Sequence, residues 1–231
     1  MKEQNKIKLP DGVKVALIDM DGVLYDSMPF HARSWHRLFT ELGVTNSNPE
    51  EYYLYEGMKG SDTIGMILKR ELNRDTTEEE RHAIYSQKTM LFKDLGEAKQ
   101  MPGAADMLSA LKDLGLTTFL VTGSAQGTLL DNLDTDYPGF FPQERRVTAL
   151  DVNNGKPHPE PYLRGLEKSG VKASEAIVIE NAPLGVKAGK AAGIFTIAVT
   201  TGPIPREAFE KEGADLIFPD MPTFAKWLKN I

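Results

Sequence analysis

Residues 13–22 read Val13-Lys14-Val15-Ala16-Leu17-Ile18-Asp19-Met20-Asp21-Gly22. The run Val13–Ile18 is apolar almost throughout, without the alternation of a half-exposed strand, as a strand covered on both faces requires. It stops abruptly on two carboxylates and a glycine. Working outward, four further short runs share this character: Leu116–Val121, Ala176–Ile179, Phe195–Val199 and Leu216–Phe218. Between them lie segments of helical period. Met107, Leu108, Leu111 and Leu114 recur along Ala104–Leu114, with Pro102 before and Gly115 after. Pro183–Ala192 opens on proline and stops at Gly193. Strands alternating with helices predict an α/β fold on a parallel sheet.

The interval after the first strand breaks that rhythm. From Met28 to about Gln100 no strand pattern occurs. Trp35, Leu38, Phe39 and Leu42 share one side of Phe30–Leu42, and Ile64, Ile67, Leu68 and Leu72 one side of Ser61–Leu72. Thr77–Leu95 opens with the capping box Thr77-x-x-Glu80. A connection of roughly seventy residues far exceeds an ordinary strand-to-helix loop. The expected organisation is therefore a discontinuous α/β core, residues 1–27 and 101–231, with a helical cap of residues 28–100 inserted between its first and second strands.

Composition narrows the function classes. The chain has 231 residues, 27 Lys and Arg against 33 Asp and Glu, and no cysteine. A disulfide scaffold, a thiolate zinc site and cysteine nucleophilic chemistry are thereby excluded. A net charge of -6 without a basic cluster argues against nucleic acid as partner. The opening MKEQNKIKLP lacks the apolar region of a signal peptide, and no apolar run approaches a membrane span. A soluble, cytoplasmic monomer is expected.

Four polar clusters follow apolar runs: Asp19-Met20-Asp21-Gly22, Thr122-Gly123-Ser124, Glu180-Asn181, and Gly155-Lys156-Pro157 after the shorter run Val147–Leu150, a candidate further strand. In an open parallel sheet the carboxyl ends of the strands share one edge, where sites form. Alone, Thr122-Gly123-Ser124 reads as a turn, Asn181 as a helix cap and Gly155-Lys156-Pro157 as a solvated loop. Brought to one edge, their chemistry is that of phosphoryl transfer. Carboxylates with an amide oxygen suit Mg²⁺ beside a phosphate, Lys156 supplies a point charge, and Thr122 a hydroxyl donor. An aspartate can attack phosphorus, and a second carboxyl two residues on can protonate the leaving group and later deprotonate water.

Val15 to Ser27, Thr122-Gly123-Ser124, Gly155-Lys156-Pro157 and Glu180-Asn181-Ala182-Pro183-Leu184-Gly185-Val186 resemble, in order, the four motifs of the haloacid dehalogenase (HAD) superfamily. The likeness is to its β-phosphoglucomutase-like subgroup, with the helical insertion standing where a C1 cap does. The resemblance implies a Rossmann-like parallel core and Mg²⁺ as cofactor. It makes Asp19 the nucleophile and a metal ligand, and Asp21 the general acid/base, with its carbonyl on the metal. Thr122 would bind the transferring phosphoryl group and Lys156 would offset its charge, while Glu180 and Asn181 complete the metal set. Gly22, His31, Glu56, Lys88, Gly123 and Ser124 are the substrate-binding candidates, His31 by likeness to a histidine that couples cap closure to the acid/base.

Two departures from the subgroup guide the choice of function. The fourth motif carries Asn181 where a second carboxylate is usual. In the cap, Gly60 aligns with the arginine that holds the distal phosphate of a sugar bisphosphate, and Glu56 with a lysine. Lys59 and Lys88 are the cations on hand to replace them. Loss of distal positive charge weakens a mutase more than a phosphatase. The string Asp26-Ser27-Met28-Pro29-Phe30-His31-Ala32-Arg33-Ser34-Trp35 also resembles bacterial HAD enzymes that act as inorganic pyrophosphatases. A Mg²⁺-dependent phosphohydrolase acting on pyrophosphate or another small phosphorylated substrate is thus expected, with β-phosphoglucomutase as the alternative. A phospho-accepting signalling domain, the reading from another class, would be phosphorylated once without turnover.

Overall fold

The computed structural model describes residues 8–124 and 127–231. Six parallel strands form one sheet: β1 (Val15–Ile18), β2 (Thr117–Val121), β3 (Arg146–Val147), β4 (Ala176–Glu180), β5 (Phe195–Val199) and β6 (Leu216–Phe218). Their spatial order is β3-β2-β1-β4-β5-β6, so the direction of winding reverses at β1. Val15 pairs with Thr117 on one side and Ala176 on the other. The uninterrupted apolarity of β1 now has its reason. Ala16 and Ile18 face a cluster with Leu120, Ile177, Ile179 and Leu108, while Val15 and Leu17 face another with Val121, Val178 and Tyr162. Both faces are covered by helices, and every residue of the strand is buried.

One expected strand is cut short. Within Val147–Leu150 only Val147 is paired, because the Asp151 carboxylate takes both the backbone N–H and the hydroxyl of Thr148 and folds the chain into a turn. Leu150 is left exposed.

Between β1 and β2 the chain runs through α1 (Met28–Glu41), a short 3-10 segment (Pro49–Tyr55), α2 (Gly60–Leu72), α3 (Glu78–Asp94) and α4 (Ala104–Asp113). Thr77 caps α3 by accepting from the Glu80 N–H. The stretch α1–α3 has its own core, in which Phe39 lies stacked between Trp35 and Tyr52, with Ile64, Ile67, Leu68 and Ile84 around them. α4 returns to the sheet. The two connecting strands run side by side: the Asp26 N–H donates to Lys99 O and the Met101 N–H to Leu24 O. The remaining helices are α5 (Gly127–Asp136), α6 (Glu160–Ser169), α7 (Pro183–Ala191), α8 (Arg206–Lys211) and α9 (Met221–Leu228). Among the described residues no helix is long and apolar enough to cross a membrane.

Candidate active site

Asp19 follows β1 at the point where the winding reverses, the position at which α/β sheets open a crevice. It is buried, and its Oδ1 accepts from Lys156 Nζ at 2.5 Å. The same ammonium donates to Glu180 Oε1 at 2.6 Å and to the carbonyl of Val121 at 3.1 Å, which uses all three of its protons. Burial works against the charged lysine, but Asp19 and Glu180 outweigh it and hold Lys156 protonated well above its ordinary range. Glu180 is fully engaged. Oε1 also accepts from the Tyr162 hydroxyl at 2.6 Å, and Oε2 from the backbone N–H groups of Asn181 and Ala182. Glu180, expected on the metal, thus has both carboxylate oxygens taken by protein donors, Lys156 among them.

Asp21 belongs to a second network, one that crosses to the helical insertion. Its Oδ1 accepts from the Ser27 hydroxyl at 2.6 Å and lies 3.0 Å from His31 Nε2. His31 Nδ1 lies 2.7 Å from Lys88 Nζ. An ammonium can only donate, so Nδ1 accepts and Nε2 carries the proton given to Asp21. Lys88 comes from α3, and its charge sits over the rings of Trp35 and Phe92 at 5.1 and 4.9 Å. Burial pushes Lys88 down to about 7, against the opposing pull of Asp21 and Glu56. Burial and the neighbouring Lys88 charge likewise lower His31. Burial alone would raise Asp21, but His31, Ser27 and Lys88 reverse that and hold it below the ordinary carboxylate range.

Among the described residues, three buried side-chain oxygens have no donor: Asp19 Oδ2, Asp21 Oδ2 and Asn181 Oδ1. Asn181 turns its amide nitrogen toward Gly22, where a Cβ would lie 1.9 Å from it; Gly22 also has φ +79°. Only glycine suits that place. Burial, then Glu180 and Asp21, push Asp19 up to about 8 in spite of Lys156. Glu56 is driven well above the carboxylate range by burial, Asp21 and Asp19. Carboxylates at positions 19, 21, 56 and 180 thus outnumber the two ammonium groups. Unpaired hard oxygens among crowded carboxyl groups fit a divalent cation held by Asp19, the Asp21 segment and Asn181.

Thr122 is buried, and its Oγ1 accepts the Ser124 N–H at 3.0 Å, leaving the hydroxyl proton to donate elsewhere. A small cavity of about 30 Å³ lies between Asp21, His31, Glu56, Lys88, Gly123 and Ser124. The predicted residues thus fall into two adjoining groups, Asp19 with Lys156 and Glu180, and Asp21 with His31 and Lys88. Lys59 is elsewhere, bonded to core carbonyls. Sequence reasoning missed Tyr162, whose only signal was its place six residues after Lys156 on an amphipathic helix. It quoted Ser27 without giving it a role.

The model of the haloacid dehalogenase-like hydrolases matches residues 13–193. Hexitol phosphatase A of Escherichia coli (strain K12) is 30% identical over 79% of this chain and 81% of its own. A beta-phosphoglucomutase of Mycobacterium bovis is 30% identical, covering 92% of each chain. A solved structure from Bacteroides vulgatus, provisionally assigned as a beta-phosphoglucomutase, is 51% identical with TM-score 0.88, covering 94% of this chain and 89% of that one.

Proposed function

The chain belongs to the haloacid dehalogenase-like hydrolases, and on that premise we propose that it is a Mg²⁺-dependent phosphohydrolase that works through an aspartyl-phosphate on Asp19, with inorganic pyrophosphate as preferred substrate. The observation that carries the mechanism is the pairing of a core-held nucleophile with an acid/base wired to the cap. Bound at Asp19, the Asp21 carbonyl and Asn181, Mg²⁺ would supply charge neutralisation for phosphate oxygens and keep Asp19 ionised.

The steps follow from the side chains. Lys156 aims Asp19 through Oδ1 and partly offsets the cost of its buried charge. Asp19 attacks phosphorus as the bond to the leaving oxygen breaks. A proton moves from Lys88 to His31 Nδ1 as the Nε2 proton passes to Asp21, which delivers it to the leaving group. In the second half Asp21, again a carboxylate, takes a proton from the water that attacks the phosphoaspartate. The Thr122 hydroxyl and the N–H groups at the start of α7 are suited to the phosphoryl oxygens.

The cavity beside Asp21 bears on substrate choice through the charges that line it. Among the described residues lining it, Lys88 alone bears a formal positive charge besides any on His31, and it is committed to His31. Glu56 adds a carboxyl there and no cation, which offers a second phosphate on a sugar nothing to hold it. The names of the M. bovis and B. vulgatus relatives favour a second reading, β-phosphoglucomutase. Phosphate release from pyrophosphate and from a panel of sugar phosphates, with and without Mg²⁺, separates them. Efficient Mg²⁺-dependent release from pyrophosphate, absent in Asp19→Asn, is expected. Poor release throughout, with isomerisation of β-glucose 1-phosphate in the presence of a bisphosphate primer, would replace this reading by the mutase.

A further inference from the structure

A contact outside the reacting groups joins the cap to the lysine loop. Lys59, directly before α2, donates from Nζ to the carbonyls of Val152 at 3.0 Å and Asn153 at 3.1 Å. These belong to the core loop leading into Lys156. The loop is braced from its other side, since Glu160 at the start of α6 accepts the N–H groups of Asn153 and Asn154. Two of its N–H groups are thus satisfied within the core, while two of its carbonyls are met by a cation from the cap.

The surfaces that meet here are glycines. A Cβ on Gly155 would lie 2.7 Å from Lys59 Cγ and 2.8 Å from its backbone nitrogen. A Cβ on Gly57 would lie 2.6 Å from Lys156 Cδ, and one on Gly123 would lie 2.6 Å from the Gly57 carbonyl oxygen. Real Cβ atoms do not approach backbone so closely, so the cap can seat only because no side chain intervenes. The stem of Lys156 therefore lies against the cap at Gly57, while its ammonium is held by the core.

We infer that Lys59 and the facing Gly155 form the closing latch of this enzyme, with Lys59 a positioning residue that commits the cap and seats the Lys156 loop. The inference rests on the phosphohydrolase reading for its effect on rate, but not for its effect on closure. Gly155 does not have the positive φ of Gly57, so alanine there suits the backbone and its close contacts are with Lys59 and, more distantly, Gly57. Gly155→Ala is thus a wedge in the closed form and neutral in the open one. Lys59→Met keeps the stem and removes both hydrogen bonds.

The chain has no cysteine, so spin labels go cleanly on Gln87→Cys in α3 and Glu144→Cys in the core, both exposed. Label-to-label distance distributions in Mg²⁺ and inorganic phosphate, with steady-state kinetics on pyrophosphate, test the latch. Both variants are expected to shift population from the closed distance to a longer one and to lower kcat about tenfold. Their melting temperatures should stay close to that of the parent, and Lys59→Arg should recover most of the closed population. Unchanged distances in Lys59→Met would overturn the latch, whatever happens to the rate. If no variant or parent releases phosphate while the distances shift, the latch stands and the reaction assigned above falls. Should Gly155→Ala fold poorly, Lys59→Met decides alone.

Discussion

The two halves of the site are built differently. Around Asp19 every partner is a core residue: Lys156, Glu180, Tyr162 and the Val121 carbonyl interlock at 2.5 to 3.1 Å. Around Asp21 only Ser27 lies on the connecting segment, while His31 and Lys88 come from helices of the insertion. The residue proposed as nucleophile is thus hydrogen-bonded by core groups alone. The residue proposed as acid/base, by contrast, draws its partners from both sides of the seam between cap and core. On the proposed mechanism this separation couples proton delivery to exclusion of bulk water, which a hydrolysable intermediate needs.

The largest break comes at Asp19. Asp19→Asn should lower turnover by more than about 10⁴-fold, measured as phosphate release. It should also raise the melting temperature without Mg²⁺. The folded pKa of about 8 lies above the ordinary 3.8, so the native state binds more protons between these values and stability falls as pH rises through them. Asparagine removes that loss, by roughly 2–4 °C for each kcal/mol relieved at pH 8 and above. A lower melting temperature there would show that the isolated carboxylate is not strained.

Lys88 tests the other half. Lys88→Met removes the start of the relay and should reduce kcat by about 10²-fold without exposing Asp19. In the parent, Lys88 loses its proton as pH rises through about 7, so kcat/KM should decline on that alkaline side. The decline should vanish in the variant; a profile of unchanged shape would remove Lys88 from the relay.

Tyr162 gives the smallest effect and sharpens the contrast. Tyr162→Phe takes one donor from a buried carboxylate that keeps three others. A stability loss of about 1–3 kcal/mol by denaturant unfolding is expected, with kcat within about tenfold of the parent. A larger fall in kcat than in stability would mean that Glu180 is not held by its remaining partners.

Legibility followed the same division. β1, β2, β4 and β5 were readable because strands largely buried on both faces are apolar, β6 as a short apolar run that is only half-buried, and the helices of the insertion because a 3.6-residue stripe marks a one-sided core. β3 was readable only as a candidate over Val147–Leu150, since its end depends on the Asp151 side chain folding onto Thr148. Asp19 and Asp21 stood out by following β1 directly, and Lys156 by its loop after the candidate strand. The full engagement of Glu180 was invisible, because it depends on Tyr162 lying beside it in space rather than in the chain. Lys59 and Lys88 looked equivalent as cap cations, yet one grips a core loop and the other a histidine.

By itself the sequence determined the layered α/β core, the inserted helices and the chemical kinds of residue at the sheet edge, because periodicity and strand ends are local properties of the chain. Only the tertiary structure decided which carboxylate meets which amine and which oxygens are left without donors. Those pairings join residues as far apart as Asp19 and Lys156, and their protonation depends on burial that no single segment possesses.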